Sequence, residues 1–160
     1  MPHEAMLQRC KLKPVPVRLR AANKNDAQLF YKVIKETMRG FIIATWGAWD
    51  EPRVQRESSE DCLSPHASVV LVEDAEAGVL WVEETPTHLQ VRQIYLFSAY
   101  QRCGVGTQLM REILTRAKEL EKPVCLRVLR VNPAKQFYEK LGFAVIQEEA
   151  EFFYMQYPAA

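Results

Sequence analysis

The sequence predicts an α/β domain, a mixed and mostly antiparallel sheet flanked by helices, from three observations. Residues 91–97 are rich in β-branched and aromatic side chains, apolar residues then recur at helical spacing (Leu109, Met110, Ile113, Leu114, Ala117, Leu120), and residues 124–131 form an almost continuous apolar run. Strand, helix and strand in that order make one βαβ unit whose two strands are parallel. Apolar runs at residues 68–73 and 78–84 flank a short acidic turn and read as an antiparallel hairpin, and two further runs close the chain.

Each element has a local reason. Residues 1–14 lack periodicity and contain Pro2 and Pro14, so they read as a loose N-terminal lead-in, with residues 15–160 as a single domain. Residues 15–20 make the first strand. Asn25 or Asp26 can cap a helix over residues 27–38, with Leu29, Phe30, Val33, Ile34 and Met38 as its buried stripe and Gly40 as its end. Residues 50–65, dense in charge, serine and proline, read as a surface loop or a short polar helix, the segment where mobility is expected. The hairpin turn falls at residues 74–77, and Pro86 ends its second strand. In the next strand the alternation Leu89, Val91 slips to Ile94, Leu96, which a β-bulge near Arg92 or Gln93 would absorb. Further on, Asn132 supplies an N-cap, Pro133 the first helical position and Gly142 the stop of a short helix, before closing strands at residues 143–146 and 152–157.

Composition narrows the function. A chain of 160 residues that is 48% hydrophobic buries one core without dividing in two. Its formal net charge of +1 creates no field favouring nucleic acid or an anionic membrane, so any anion site is local. The longest apolar stretch, residues 41–49, is too short to span a bilayer, and no signal-like apolar region opens the chain. A cytoplasmic location, with no nucleic-acid or membrane partner, is the expectation. Cys10, Cys62, Cys103 and Cys125 form no Cys-x-x-Cys pair and, with three histidines, no metal-ligand spacing, so free thiols and no metal are expected.

The most informative stretch is Gln101-Arg102-Cys103-Gly104-Val105-Gly106-Thr107, which sets two glycines between strand and helix. Unpaired amides at a helix N-terminus attract phosphate, and glycine allows close backbone approach. The phosphate loop of nucleoside triphosphatases needs a lysine here, and the dinucleotide fingerprint needs a third glycine where Leu109 stands. Cys103 has no histidine near it in sequence and reads as a bystander.

The pattern Gln/Arg-x-x-Gly-x-Gly/Ala, carried by Gln101, Gly104 and Gly106, resembles the acetyl-CoA pyrophosphate loop of the GCN5-related N-acetyltransferase (GNAT) family. Downstream, Asn132, Ala134, Tyr138, Gly142 and Phe143 are similar to a second segment of that family. The resemblance covers residues 67–146 and implies a GNAT-type sheet with one splayed parallel pair. It implies N-acetyl transfer from acetyl-CoA to a primary amine, of a small molecule or a protein. The alternative is a non-catalytic acyl-CoA-binding sensor or scaffold, and the assembly expected is a monomer or homodimer.

By the same resemblance, cofactor contacts fall to Leu96, Phe97, Ser98, Gln101, Arg102, Cys103, Gly104, Val105, Gly106, Thr107, Asn132 and Lys135, and Tyr138 is the general acid for the departing thiolate. A thiol has an ordinary pKa of about 8.5 and a phenol of about 10, close enough that a tyrosine within hydrogen-bond reach can deliver its proton as the thiolate departs. The oxyanion would rest on the amide of Leu96 or Phe97. The base is open. Family members often place a carboxylate near the bulged strand, where this chain has Gln93 and Tyr95; Glu83, Glu84, Asp50 and Glu51 are the candidates. Trp46 and Trp49, followed by Asp50 and Glu51, fall where the family builds its acceptor pocket, and could hold a cationic amine.

Overall fold

The structure, a computed structural model, describes residues 15–159; the expected lead-in, residues 1–14, lies outside the described residues. In chain order come β1 (Val17–Ala21), a 3-10 turn (Lys24–Asp26), α1 (Ala27–Trp46), α2 (Glu51–Asp61), β2 (Ala67–Val72), β3 (Ala75–Glu84) and β4 (Leu89–Leu96). A second 3-10 turn (Ser98–Tyr100), α3 (Val105–Glu119), β5 (Val124–Leu129), α4 (Ala134–Leu141), β6 (Ala144–Glu148) and β7 (Phe152–Tyr157) complete it. The sheet has seven strands in the order β1-β2-β3-β4-β5-β7-β6. Its one parallel pair is β4 with β5, in register at Leu89↔Val124 and Gln90↔Cys125.

The described residues gather into two compact units, the first holding residues 15–39, Asp50–Trp81 and Gln93–Met110, the second Gly40–Trp49, Val82–Arg92 and residues 111–159. In the first, Phe30 and Val33 of α1 meet Cys62, Ala67, Val69 and Leu71 of the α2–β2 region and Val79 of β3. Tyr95 and Phe97 pack against this cluster. Full burial of each such large apolar side chain contributes about 1.5–3 kcal/mol. In the second unit β5 pairs with β7 from Val124↔Tyr157 to Leu129↔Phe152. There Gly142 ends α4 at φ 108, and a Cβ on it would stand 2.9 Å from the Tyr157 ring.

Several boundaries differ from expectation. The first helix does not stop at Gly40 but runs to Trp46 and ends at Gly47, whose φ of +81 is the left-handed stop that Gly40 does not adopt. Neither Asn25 nor Asp26 is the cap: Asn23 is, its side chain accepting from the Asn25 amide while Asp26 accepts from the Asn23 amide, a reciprocal capping box. Of the two readings of residues 50–65 the polar helix holds, opened by Asp50, which accepts from the Arg53 amide at 3.1 Å. The hairpin turn is shorter than expected and starts one residue earlier, on Glu73 and Asp74 at φ 51 and 68, the positive-φ pair that matches strand twist. Pro133 takes the N-cap position of α4, yet Asn132 Oδ1 still accepts from the Ala134 amide at 2.9 Å.

Candidate active site

In the first unit the glycine loop turns tightly into the start of α3. Gly104 has φ +84, and a Cβ placed on it meets no atom within 4 Å, so its conformation rather than crowding demands glycine. Its carbonyl accepts from the Gln108 amide at 2.9 Å, the first bond of α3. The amides of Val105, Gly106 and Thr107 therefore precede that bond and have no acceptor within the helix. Val105 is buried and anchors the helix start, while Arg102 holds a positive φ of 59. The Cys103 thiol donates to the Tyr100 carbonyl at 3.1 Å. Gln101 turns its side chain back on the strand, its Nε2 donating to the Leu96 carbonyl at 2.8 Å, so it fastens the loop to the end of β4.

Two of the expected backbone groups are already engaged. The Phe97 amide donates to the Ala77 carbonyl of β3 at 2.9 Å, and the Ser98 amide donates to the Glu36 carboxylate at 2.9 Å. Successive amides of a strand point to opposite edges, so the Leu96 amide points away from β3. Of the two oxyanion candidates, Leu96 is the one whose amide β3 does not take.

The four expected bases are each held by a structural partner. Glu84 accepts from Lys122 at 2.8 Å and from Arg116 at 3.0 Å, and the Lys122 contact holds its carboxyl below the ordinary range. Glu83 pairs with Arg92 at 2.8 Å, Glu51 with Lys35 at 3.3 Å, and Asp50 caps α2.

Sequence reasoning missed Asp61. It is the last residue of α2, and its Oδ2 accepts from Gln93 Nε2 of β4 at 2.9 Å. Burial pushes its carboxyl upward; the Gln93 bond opposes that, and Glu57 and Glu60 add to it. Gln93 Oε1 and, one turn before Asp61, Ser58 Oγ are buried oxygens without a hydrogen-bond partner among the described residues. The contact joins residues 32 apart, beyond any local motif. One local signal existed: Glu57, Glu60 and Asp61 crowd the C-terminal end of a helix with no basic residue in its last turn, against the helix dipole.

The remaining expected residues belong to the second unit. Tyr138 is 8% exposed, its ring 5.3 Å from Phe137 and 5.8 Å from Phe143. Lys135 pairs with Glu139 at 3.3 Å and lies 4.7 Å over the Phe153 ring. Trp46, half exposed, sits against Phe152 at 5.9 Å, and Arg127 covers the same ring at 4.3 Å. In the first unit a cavity of about 370 Å³ opens between α1 and α2, lined by Tyr31, Gln55, Arg56 and Ser59 among others. Its lining includes no residue of the glycine loop. Cys62, Cys103 and Cys125 are free thiols, and Cys10 lies outside the described residues. Among the described residues no group of His, Cys, Asp or Glu is arranged to hold a metal, and no helix is long and apolar enough to cross a membrane.

Comparison with known proteins identifies the family and the fold. The family model described as "Acetyltransferase (GNAT) domain" matches residues 65–145. No curated protein matches the chain in sequence. Among solved structures, the chain resembles the PaiA N-acetyltransferase of Thermoplasma acidophilum in complex with coenzyme A, at TM-score 0.70 and 18% identity over 89% of this chain and 99% of that one. An acetyltransferase of Thermus thermophilus gives TM-score 0.70 and 17% identity, covering 89% and 96% of the two chains. The ribosomal-protein-S18-alanine N-acetyltransferase of Escherichia coli gives 0.65 and 14%, covering 91% and 95%. At these identities the likeness is one of fold.

Proposed function

The chain belongs to the GNAT acetyltransferase family, and from that premise we propose that it moves an acetyl group from acetyl-CoA to a primary amine of a small molecule or protein, by direct attack and without a covalent enzyme intermediate. Acetyl-CoA supplies the acyl group activated as a thioester. The observation that carries the reading is the glycine loop: Gly104 at φ +84, the three amides of Val105, Gly106 and Thr107 ahead of the first helical bond, and Gln101 bonded to the Leu96 carbonyl. Those amides would hold the pyrophosphate, with Cys103 contributing its backbone and Arg102 a contact to the adenosine phosphates. Lys135, which the family resemblance also offers as a phosphate contact, is paired with Glu139 at 3.3 Å.

The chemistry then falls to groups with named tasks. The amide of Leu96 stabilises negative charge developing on the thioester oxygen. Phe97 and Ser98, whose own amides are engaged, shape the strand end beside it. Asn132 bonds the pantetheine or acceptor side, and Tyr138 protonates the departing thiolate. The acceptor is a small amine or an amino group, and the protein works in the cytoplasm.

Release of CoA thiol from acetyl-CoA across a panel of primary amines tests the reading. Gly104→Val should raise the acetyl-CoA KM at least about tenfold, because valine is strained by about 1–3 kcal/mol at that φ and its methyls project into the approach. Unchanged KM in the folded variant would remove the loop assignment. The engagement of Glu83, Glu84, Asp50 and Glu51 favours, as a second reading, an acyl-CoA-binding module with no base. Such a module would bind CoA and release no thiol with any amine.

A further inference from the structure

A carboxylate that α2 brings to β4 offers a different solution to the missing base. Gln93, Tyr95 and Phe97 alternate along the strand, so they share one face; Tyr95 and Phe97 pack on the cluster formed with α1 and β2, and Gln93 reaches α2. Gln93 lies three residues before Leu96, about 10 Å along the strand, and Leu96 in turn is bonded to the glycine loop. The α2 side thus presents a carboxylate to the strand upstream of the proposed oxyanion amide. We infer that Asp61 is the proton acceptor for the acceptor amine, carried by the end of α2 instead of by β4, and that Gln93 is the residue that positions it. The inference rests on the acetyl-transfer reading above.

Three features set Asp61 apart from the carboxylates that serve the fold. Its carboxylate accepts from a neutral amide, whereas Glu83, Glu84 and Glu51 face cations. Two buried oxygens with unused hydrogen-bonding capacity belong to its partner Gln93 and to Ser58, three residues earlier on its own helix. Its placement also defies the helix dipole, with Glu57 and Glu60 adding like charge, an arrangement that costs stability and calls for a compensating role. Burial, with the like charges of Glu57 and Glu60, raises its proton affinity above that of an ordinary carboxylate, the direction that favours a base. From its own helix Glu57 and Glu60 face it; from β4 the neutral Gln93 does.

The proton count closes. An ammonium acceptor loses two protons in becoming an amide. The first breaks its N–H bond to form O–H on Asp61 and leaves to solvent. The freed nitrogen pair then bonds the carbonyl carbon, and the C–S bond breaks with its electrons on sulfur. The second nitrogen proton replaces the one that Tyr138 gives to that thiolate.

The test measures thiol release by the full chain with a productive amine, beside CoA binding by calorimetry. Asp61→Asn should keep CoA affinity within about twofold and lower kcat/KM for the amine about a hundredfold. The deficit should shrink towards about pH 10, where the amine is already free. A folded Asp61→Asn that binds CoA and turns over at the wild-type rate overturns the assignment while leaving acetyl transfer intact. Wild-type protein that binds CoA but releases thiol with no amine overturns both. Gln93→Leu keeps the carboxylate and covers the case in which Asp61→Asn does not fold. Loss of the bond that lowers the Asp61 pKa should move the acidic limb of the kcat/KM profile to higher pH, and an unmoved limb counts against the pairing.

Discussion

A tyrosine that gives up a proton in a defined direction has to be held still, and Tyr138 has a ring on either side, Phe137 at 5.3 Å and Phe143 at 5.8 Å. Tyr138→Phe keeps those ring contacts and removes the donor. On the proposed role, kcat falls about a hundredfold while acetyl-CoA KM stays within a few-fold. Single-turnover rates equal to wild type would make the ring a packing element only. At this scale the sequence was legible where a residue's task is local. Gly104 and Gly142 both adopt positive φ, and Asn132 bonds the amide two residues on. It was not legible for Asp61, whose meaning depends on a strand 32 residues away. Nor could the sequence disclose that Glu84 is clamped between Lys122 and Arg116.

Elements show the same division between local and tertiary cause. β7 falls at residues 152–157 as expected, and the βαβ unit forms with its parallel pair, because apolar periodicity reports burial directly. The expected helix end at Gly40 failed because one glycine inside a helix costs only about 1 kcal/mol, while the helix gains by continuing. Gly40 has open space around it and no special φ, so sequence could not separate it from Gly47, which has both the φ and the stop. Gly78 carried no local signal at all. A Cβ there would collide with the Tyr95 carbonyl oxygen and stand 2.9 Å from Leu96 Cα, so β3 can approach β4 only through a glycine. Gly78→Ala must push the strand outward at Tyr95 and Leu96, the proposed oxyanion position. The expected result is a loss of kcat of about tenfold or more, together with a fall in Tm of several degrees, since overpacking costs about 1–3 kcal/mol. Wild-type kcat in Gly78→Ala would separate that stretch of β4 from the chemistry.

For the molecule as a whole, two aspartates should pull stability in opposite directions with pH. Asp26, nearly buried, accepts two hydrogen bonds from Arg20 at 2.8 and 2.9 Å, and that contact holds its pKa below the ordinary value of 3.8. A depressed folded pKa contributes stability above the unfolded value and loses it as pH falls through the folded one. Asp61 has the opposite sign: its folded pKa lies above 3.8, so ionisation in the folded state is penalised progressively as pH rises through that interval, and the penalty is complete above the folded value. Asp26→Asn should therefore lower Tm at neutral pH, by a deficit that disappears in strong acid. Asp61→Asn keeps an oxygen to accept from Gln93 and removes a half-buried charge at the wrong end of a helix, so it should raise Tm at neutral pH by up to about 3 °C and lose that gain below about pH 4. A variant that is more stable and far less active is what a base maintained against the fold's own preference requires. If Asp61→Asn instead melts lower at neutral pH, Asp61 is a stabilising cap partner of β4, and the cost argued from its position on α2 does not exist.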